Sequence, residues 1–101
     1  MAFAHSVFFQ LADPSPARVS ELVAACREDL AGHDGELSFF AGRRAPGYER
    51  EVNALDFHVA LLLRFADRAS HDAYQVSSRH EDFIERCSGN WASVRVFDAE
   101  D

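Results

Sequence analysis

From Phe57 to Phe65 every odd-numbered side chain is apolar: Phe57, Val59, Leu61, Leu63 and Phe65. The residues between them, His58, Ala60, Leu62 and Arg64, are mixed in character. Neighbouring side chains of a strand point to opposite faces. The segment therefore predicts a strand with one fully apolar face and one only partly so. A chain built around it needs a roof on the first side and a different solution on the second.

The same alternation marks a strand over His5–Leu11, with His5, Val7, Phe9 and Leu11 on one face and Ser6, Phe8 and Gln10 on the other. Further strands are predicted from Glu36 to about Arg43 and over Ser93–Phe97, and Arg44 to Asp56, with Pro46-Gly47, is predicted as a long exposed loop. Between the strands the period changes to that of a helix. Ser15 suits an N-cap and Pro16 the first helical position, and Val19, Leu22, Val23, Cys26 and Leu30 then form a helical stripe closed by Gly32. Asp67 starts a short helix ending near Tyr74-Gln75. Ser78 and Glu81 have capping-box spacing for a following helix, whose stripe carries His80, Phe83, Ile84 and Cys87 before Gly89-Asn90 ends it.

The resulting order, βαββαβ, is that of a single α+β domain over residues 1–101. Right-handed crossovers place both helical connections on one face of the sheet. Phe8, one of the pair Phe39 and Phe40, and Leu62 are left on the other, which needs a partner. Two copies packed sheet to sheet are the simplest symmetric answer, so a homodimer is expected.

Composition narrows the partners. With 48% hydrophobic residues in 101 the chain can build a core without staples, and the two cysteines, Cys26 and Cys87, are expected to stay reduced inside it. Ten basic residues scattered among seventeen acidic ones, for a net charge of -7, exclude a nucleic-acid groove and argue against an anionic membrane surface. No apolar run reaches the roughly 18 residues of a membrane span. The N-terminus lacks the basic region and cleavage pattern of a secretory leader. A cytoplasmic location is expected.

Among residues able to do chemistry, His80 stands out. Counted from Ser78 as N-cap it is the second helical residue, where the positive end of the helix favours a neutral imidazole. His5 ends an apolar strand row and needs a hydrogen-bond partner. Tyr74 offers an apolar ring with a polar tip, suited to a pocket wall. If these three converge, Val7, Phe9 and Phe83 are the expected apolar walls. The plainer alternative is that the histidines are structural and Tyr74 is packing. His58 is expected at the interface or surface, and His33 and His71 are expected to be exposed. No metal is expected, because the histidines lack ligand spacing, and no cofactor either: there is no glycine-rich phosphate loop.

The ordered set His5-Ser6-Val7-Phe8-Phe9, His33-Asp34-Gly35, Gly42, Phe57-His58-Val59-Ala60-Leu61, Tyr74-Gln75, His80 with Phe83, and Trp91 leading to Val94-Arg95-Val96-Phe97-Asp98 resembles the stress-responsive A/B-barrel family over essentially the whole chain. The resemblance implies a ferredoxin-like fold in a dimeric α+β barrel, with the helices outside. A plant branch of that family carries out a cofactor-free aldol cyclisation of a polyketide, and its acid–base histidines and tyrosine match His5, Tyr74 and His80. Two functions follow as expectations. One is a dimer with a helix–sheet pocket for a small hydrophobic molecule and no assigned reaction; the other is a His/Tyr acid–base enzyme acting on a small carbonyl compound.

Overall fold

The computed structural model describes residues 1–101. It runs β1 (Phe3–Leu11), α1 (Pro16–Leu30), β2 (Glu36–Arg43), β3 (Val59–Phe65), α2 (Arg68–Gln75), α3 (Ser78–Cys87), a 3-10 turn (Ser88–Asn90) and β4 (Trp91–Glu100). The four strands make one sheet in the order β2-β3-β1-β4, every neighbouring pair antiparallel. No helix is long and apolar enough to cross a membrane.

Local chemistry accounts for the helix starts. Ser15 accepts the Arg18 N–H at 3.4 Å, and Asp67 accepts the Ser70 N–H at 2.8 Å. The third start is one residue earlier than the capping-box spacing suggests. Ser77, not Ser78, is the N-cap of α3: its hydroxyl accepts the His80 N–H at 3.2 Å while donating to the Tyr74 carbonyl at 2.8 Å. One side chain thereby closes α2 and opens α3. His80 becomes the third helical residue, and Glu81 falls out of box position.

Three strands have different limits from those expected, β1 beginning two residues earlier, at Phe3. β3 starts at Val59, because His58 turns its ring back so that Nδ1 accepts the Leu11 N–H at 2.9 Å. His58 is thus a half-buried brace on the end of β1. β4 extends well beyond Ser93–Phe97 at both ends because β1 pairs along its full length, from Phe3 opposite Glu100 to Leu11 opposite Trp91. Between α1 and β2, Gly32 and Gly35 both adopt φ of 80°. A Cβ on Gly35 would stand 2.2 Å from the Ser70 hydroxyl, so this turn also lets α2 pack down on the sheet end.

Both helical connections lie on one face, as the crossover rule requires. There Leu22, Ala25, Cys26 and Leu30 of α1 join Phe83 of α3 and the inward rows Val7, Phe9, Leu11 and Val59, Leu61, Leu63, Phe65 in one buried cluster. Each large member contributes about 1.5–3 kcal/mol by leaving water. Across the sheet, Phe8 is half-buried beneath the edges of Phe57 and Phe97, at ring distances of 5.1 and 5.8 Å. Phe40 and Leu62, paired in register, project beside them and remain 53% and 39% exposed. Phe40 is therefore the outward member of its pair, and Phe39 packs against the core. Both cysteines are free thiols, Cys26 buried and Cys87 half-buried.

Candidate functional site

The roof of helices stops short of β4. Val94 and Val96 point to the helix side, opposite Phe9 and Val7, yet stay 38% and 50% exposed. The gap between this strip and α2–α3 is a cleft of about 310 Å³. Three helical or strand periodicities feed it. Alternation along β1 presents His5, Val7 and Phe9; spacing of three and four along α2 presents His71, Tyr74 and Gln75; the same spacing along α3 presents His80, Phe83 and Ile84. Leu30, Leu61, Trp91 and Asp98 complete the lining.

His5, Tyr74 and His80, from three different elements, thus open onto one space. Val7, Phe9 and Phe83 line it too, with Phe9, Phe83 and Trp91 in mutual ring contact at 5.0–6.2 Å. Tyr74 is the centre of the polar end. Its ring lies 4.9 Å from His80, 4.9 Å from His33, 5.9 Å from His5 and 6.5 Å from His71. Four of the five histidines therefore surround one tyrosine. No hydrogen bond joins His5, Tyr74 and His80 directly. The Tyr74 hydroxyl and His80 Nδ1 are both buried and lack any hydrogen-bond partner.

His5 has the partners its position demands. Its Nδ1 is 2.5 Å from the Asp98 carboxylate, and its Nε2 lies 3.3 Å from the Gln75 amide nitrogen. These partners place the proton on Nδ1 and leave Nε2 as an acceptor. Burial lowers the His5 pKa from its ordinary value, against the opposing pull of Asp98. Burial is also the main cause lowering the His80 pKa, with the neighbouring imidazoles adding to it. The Tyr74 phenol is pushed up, chiefly by burial. The tyrosine therefore keeps its proton and is available as a hydrogen-bond donor.

Two expectations about histidines need correction. His71 is not exposed but buried, stacked on Phe3 with ring centres 4.1 Å apart, because its helix stripe turns it onto the end of β1. His33 is half-buried; its Nε2 bonds the Asp29 carbonyl at 2.8 Å and its ring meets the Tyr74 edge. Three polar lining residues were not singled out by sequence reasoning. His71 and Gln75 share the helical spacing of Tyr74, which was a legible signal. Asp98 required knowing that β4 pairs with β1 so that it faces His5. A ring nitrogen of His5, one of His71 and a carboxylate oxygen of Asp98 lie within 4.8 Å of one another, the one group of side chains with the spacing of metal ligands.

A second cleft, of about 540 Å³, lies between the start of α1 and the 3-10 turn. It is larger, but its cations are already paired. Arg18 is bound to Asp13 and Glu21 at 3.7 and 3.2 Å, and Arg86 to Glu28 and Asp29 at 3.2 and 3.6 Å. The unpartnered Tyr74 hydroxyl and His80 Nδ1 belong to residues of the smaller cleft.

Comparison with known proteins agrees with the fold. A protein from Thermobifida fusca, described as dimeric, ferredoxin-like and of unknown function, superposes with a TM-score of 0.82 at 16% identity, covering 100% of this chain and 92% of its own. A Dabb-family protein of ferredoxin-like fold from Mesorhizobium loti gives 0.80 at 20% identity over 99% and 96% of the two chains. A further dimeric ferredoxin-like protein of unknown function, from Jannaschia sp. CCS1, gives 0.78 at 20% identity over 100% of both. No curated protein matches the sequence. The Stress Responsive A/B Barrel Domain signature runs through residues 3–101, from the first residue of β1 to the chain end beyond β4, and the chain belongs to that family.

Proposed function

We propose that this chain works as a homodimer whose helix–sheet cleft takes a small, mostly apolar carbonyl compound and moves a proton on it. The observation that carries the reading is the pair of buried, unpartnered polar atoms, Tyr74 Oη and His80 Nδ1, beside apolar walls. Buried polar groups are nearly always satisfied, so these two orphans, with Trp91 Nε1 a third on the same lining, mark where a ligand's polar end belongs.

The chemistry follows from what each atom can do. His80, with its proton on Nε2, offers the Nδ1 lone pair to a C–H next to the carbonyl. As that proton moves to Nδ1, the electron pair of the C–H bond delocalises onto the carbonyl oxygen. The Tyr74 hydroxyl donates a hydrogen bond to that oxygen, which gains negative charge as the enolate forms. His5, held by Asp98, forms part of the polar end of the cleft beside them. No cofactor takes part in this step. The dimer reading rests on the apolar face carrying Phe8, Phe40, Leu62 and Phe97, and on the dimeric description of the Thermobifida and Jannaschia proteins.

The test uses a panel of small carbonyl compounds in deuterium oxide. Native mass spectrometry reads retention, and NMR reads loss of the α-proton signal. Wild type should retain a compound and exchange its α-proton. His80→Ala should lose exchange, and Tyr74→Phe should weaken both. Retention without exchange leaves a binding protein; neither retention nor exchange across the panel refutes the reading.

A further inference from the structure

We propose that His5 and His71 are the ligands of a site for a divalent transition-metal ion of the zinc class, with Asp98 as the carboxylate that supports it. The inference does not rest on the proton-transfer reading.

Geometry supplies the argument. The imidazoles are backed by carboxylates through Nδ1, His5 by Asp98 at 2.5 Å and His71 by Asp72 at 3.0 Å. Each Nδ1–H donated in this way leaves an Nε2 lone pair. Both of those lone pairs meet the same group: the Gln75 amide nitrogen lies 3.3 Å from His5 Nε2 and 3.5 Å from His71 Nε2. Two ring nitrogens thus converge on one point inside the cleft, where only a flexible side chain's end sits. Turning the Gln75 amide replaces its NH₂ with its carbonyl oxygen, a third donor.

Imidazole held from behind by a carboxylate is the arrangement in which histidine binds zinc, since the second hydrogen bond fixes the ring and raises its basicity. Nitrogen donors select zinc, cobalt or nickel over magnesium and calcium, which prefer oxygen. Both histidines are nearly closed to solvent, at 4% and 7% exposure, so their rings are held in place before an ion arrives. Three protein donors leave coordination positions open toward the cleft. The ligands come from β1 and α2, with the supporting carboxylate on β4. For that reason no short ligand spacing announces the site in the sequence.

The experiment titrates the full chain, stripped with chelator, with Co²⁺ followed by visible absorption, and with Zn²⁺ against a chromophoric chelator. One equivalent per chain is expected. His71→Ala should weaken Zn²⁺ binding by about 100-fold and Asp98→Asn by about 10-fold, the range set by ligand and outer-shell losses. His33→Ala should leave binding unchanged. Nitrogen NMR of the wild-type histidine rings guards against a variant that fails to fold: Zn²⁺ must move the Nε2 signals of His5 and His71 and spare His33. Equal affinity in all four proteins, no binding at millimolar metal, or unshifted His5 and His71 signals would each overturn the proposal.

Discussion

Asp98 stands directly opposite His5 across the β1–β4 pairing, and its carboxylate takes the imidazole Nδ1–H at 2.5 Å. The carboxylate is 41% exposed while the imidazole is 5% exposed, so the pair connects solvent to the closed end of the cleft. Removing the acceptor leaves a buried donor to find water. Asp98→Ala should therefore cost about 1–3 kcal/mol, read from urea unfolding.

Phe83 and His80 are neighbours on one stripe of α3 but hold different kinds of position. Phe83 is 2% exposed and packs on Phe9 and Trp91. Phe83→Ala should lower stability by about 3–5 kcal/mol. His80 has an unbonded ring nitrogen at the cleft, so His80→Ala should cost less than about 1 kcal/mol. Equal losses in denaturant midpoints would make the histidine structural.

Acid should weaken the fold through the same residue. The His80 pKa is lowered in the folded chain relative to 6.5. The unfolded state therefore binds the proton more readily, and stability falls as pH drops below 6.5 toward the folded value. His5 is lowered as well and acts in the same direction. Unfolding midpoints between pH 8 and 5 should decline below pH 6.5, with a shallower decline in His80→Gln.

The exposed sheet face gives a prediction about assembly. Phe8→Asp places an unpaired charge among Phe57, Phe97 and their symmetry mates. Wild type should sediment as a dimer at micromolar concentration and the variant as a monomer. A monomeric wild type refutes the sheet-to-sheet dimer.

The thiols should differ in reactivity. Cys26 is 0% exposed, and burial pushes its pKa up to about 12. Cys87 is only half-buried, with a smaller upward push from burial. Alkylation of the native protein should label Cys87 first and Cys26 only on denaturation. Intact mass should then show two labels.

The sequence made the sheet legible because a period of two survives reading in isolation: His5, Val7 and Phe9 lie where their alternation puts them. It made α2 less so. His71 sits between Ser70 and Asp72, and those polar neighbours suggest solvent, although its spacing from Tyr74 and Gln75 points inward. The adjacent serines Ser77 and Ser78 offer two equivalent caps. The choice was made by the Tyr74 carbonyl, which only Ser77 reaches. Asp98 shows the harder limit. Its role is set by which strand lies beside β4, and strand pairing over such a distance leaves no local mark.

The strip of β4 that the helices do not cover decides what kind of selectivity the cleft can exercise. With one long side open along Val94 and Val96, a guest enters sideways, and no lid has to swing for it to leave. Exchange should then be quick and weakly dependent on temperature. Discrimination falls on breadth at the aromatic wall of Phe9, Phe83 and Trp91, while a linear tail of any length can trail over the edge strand into water.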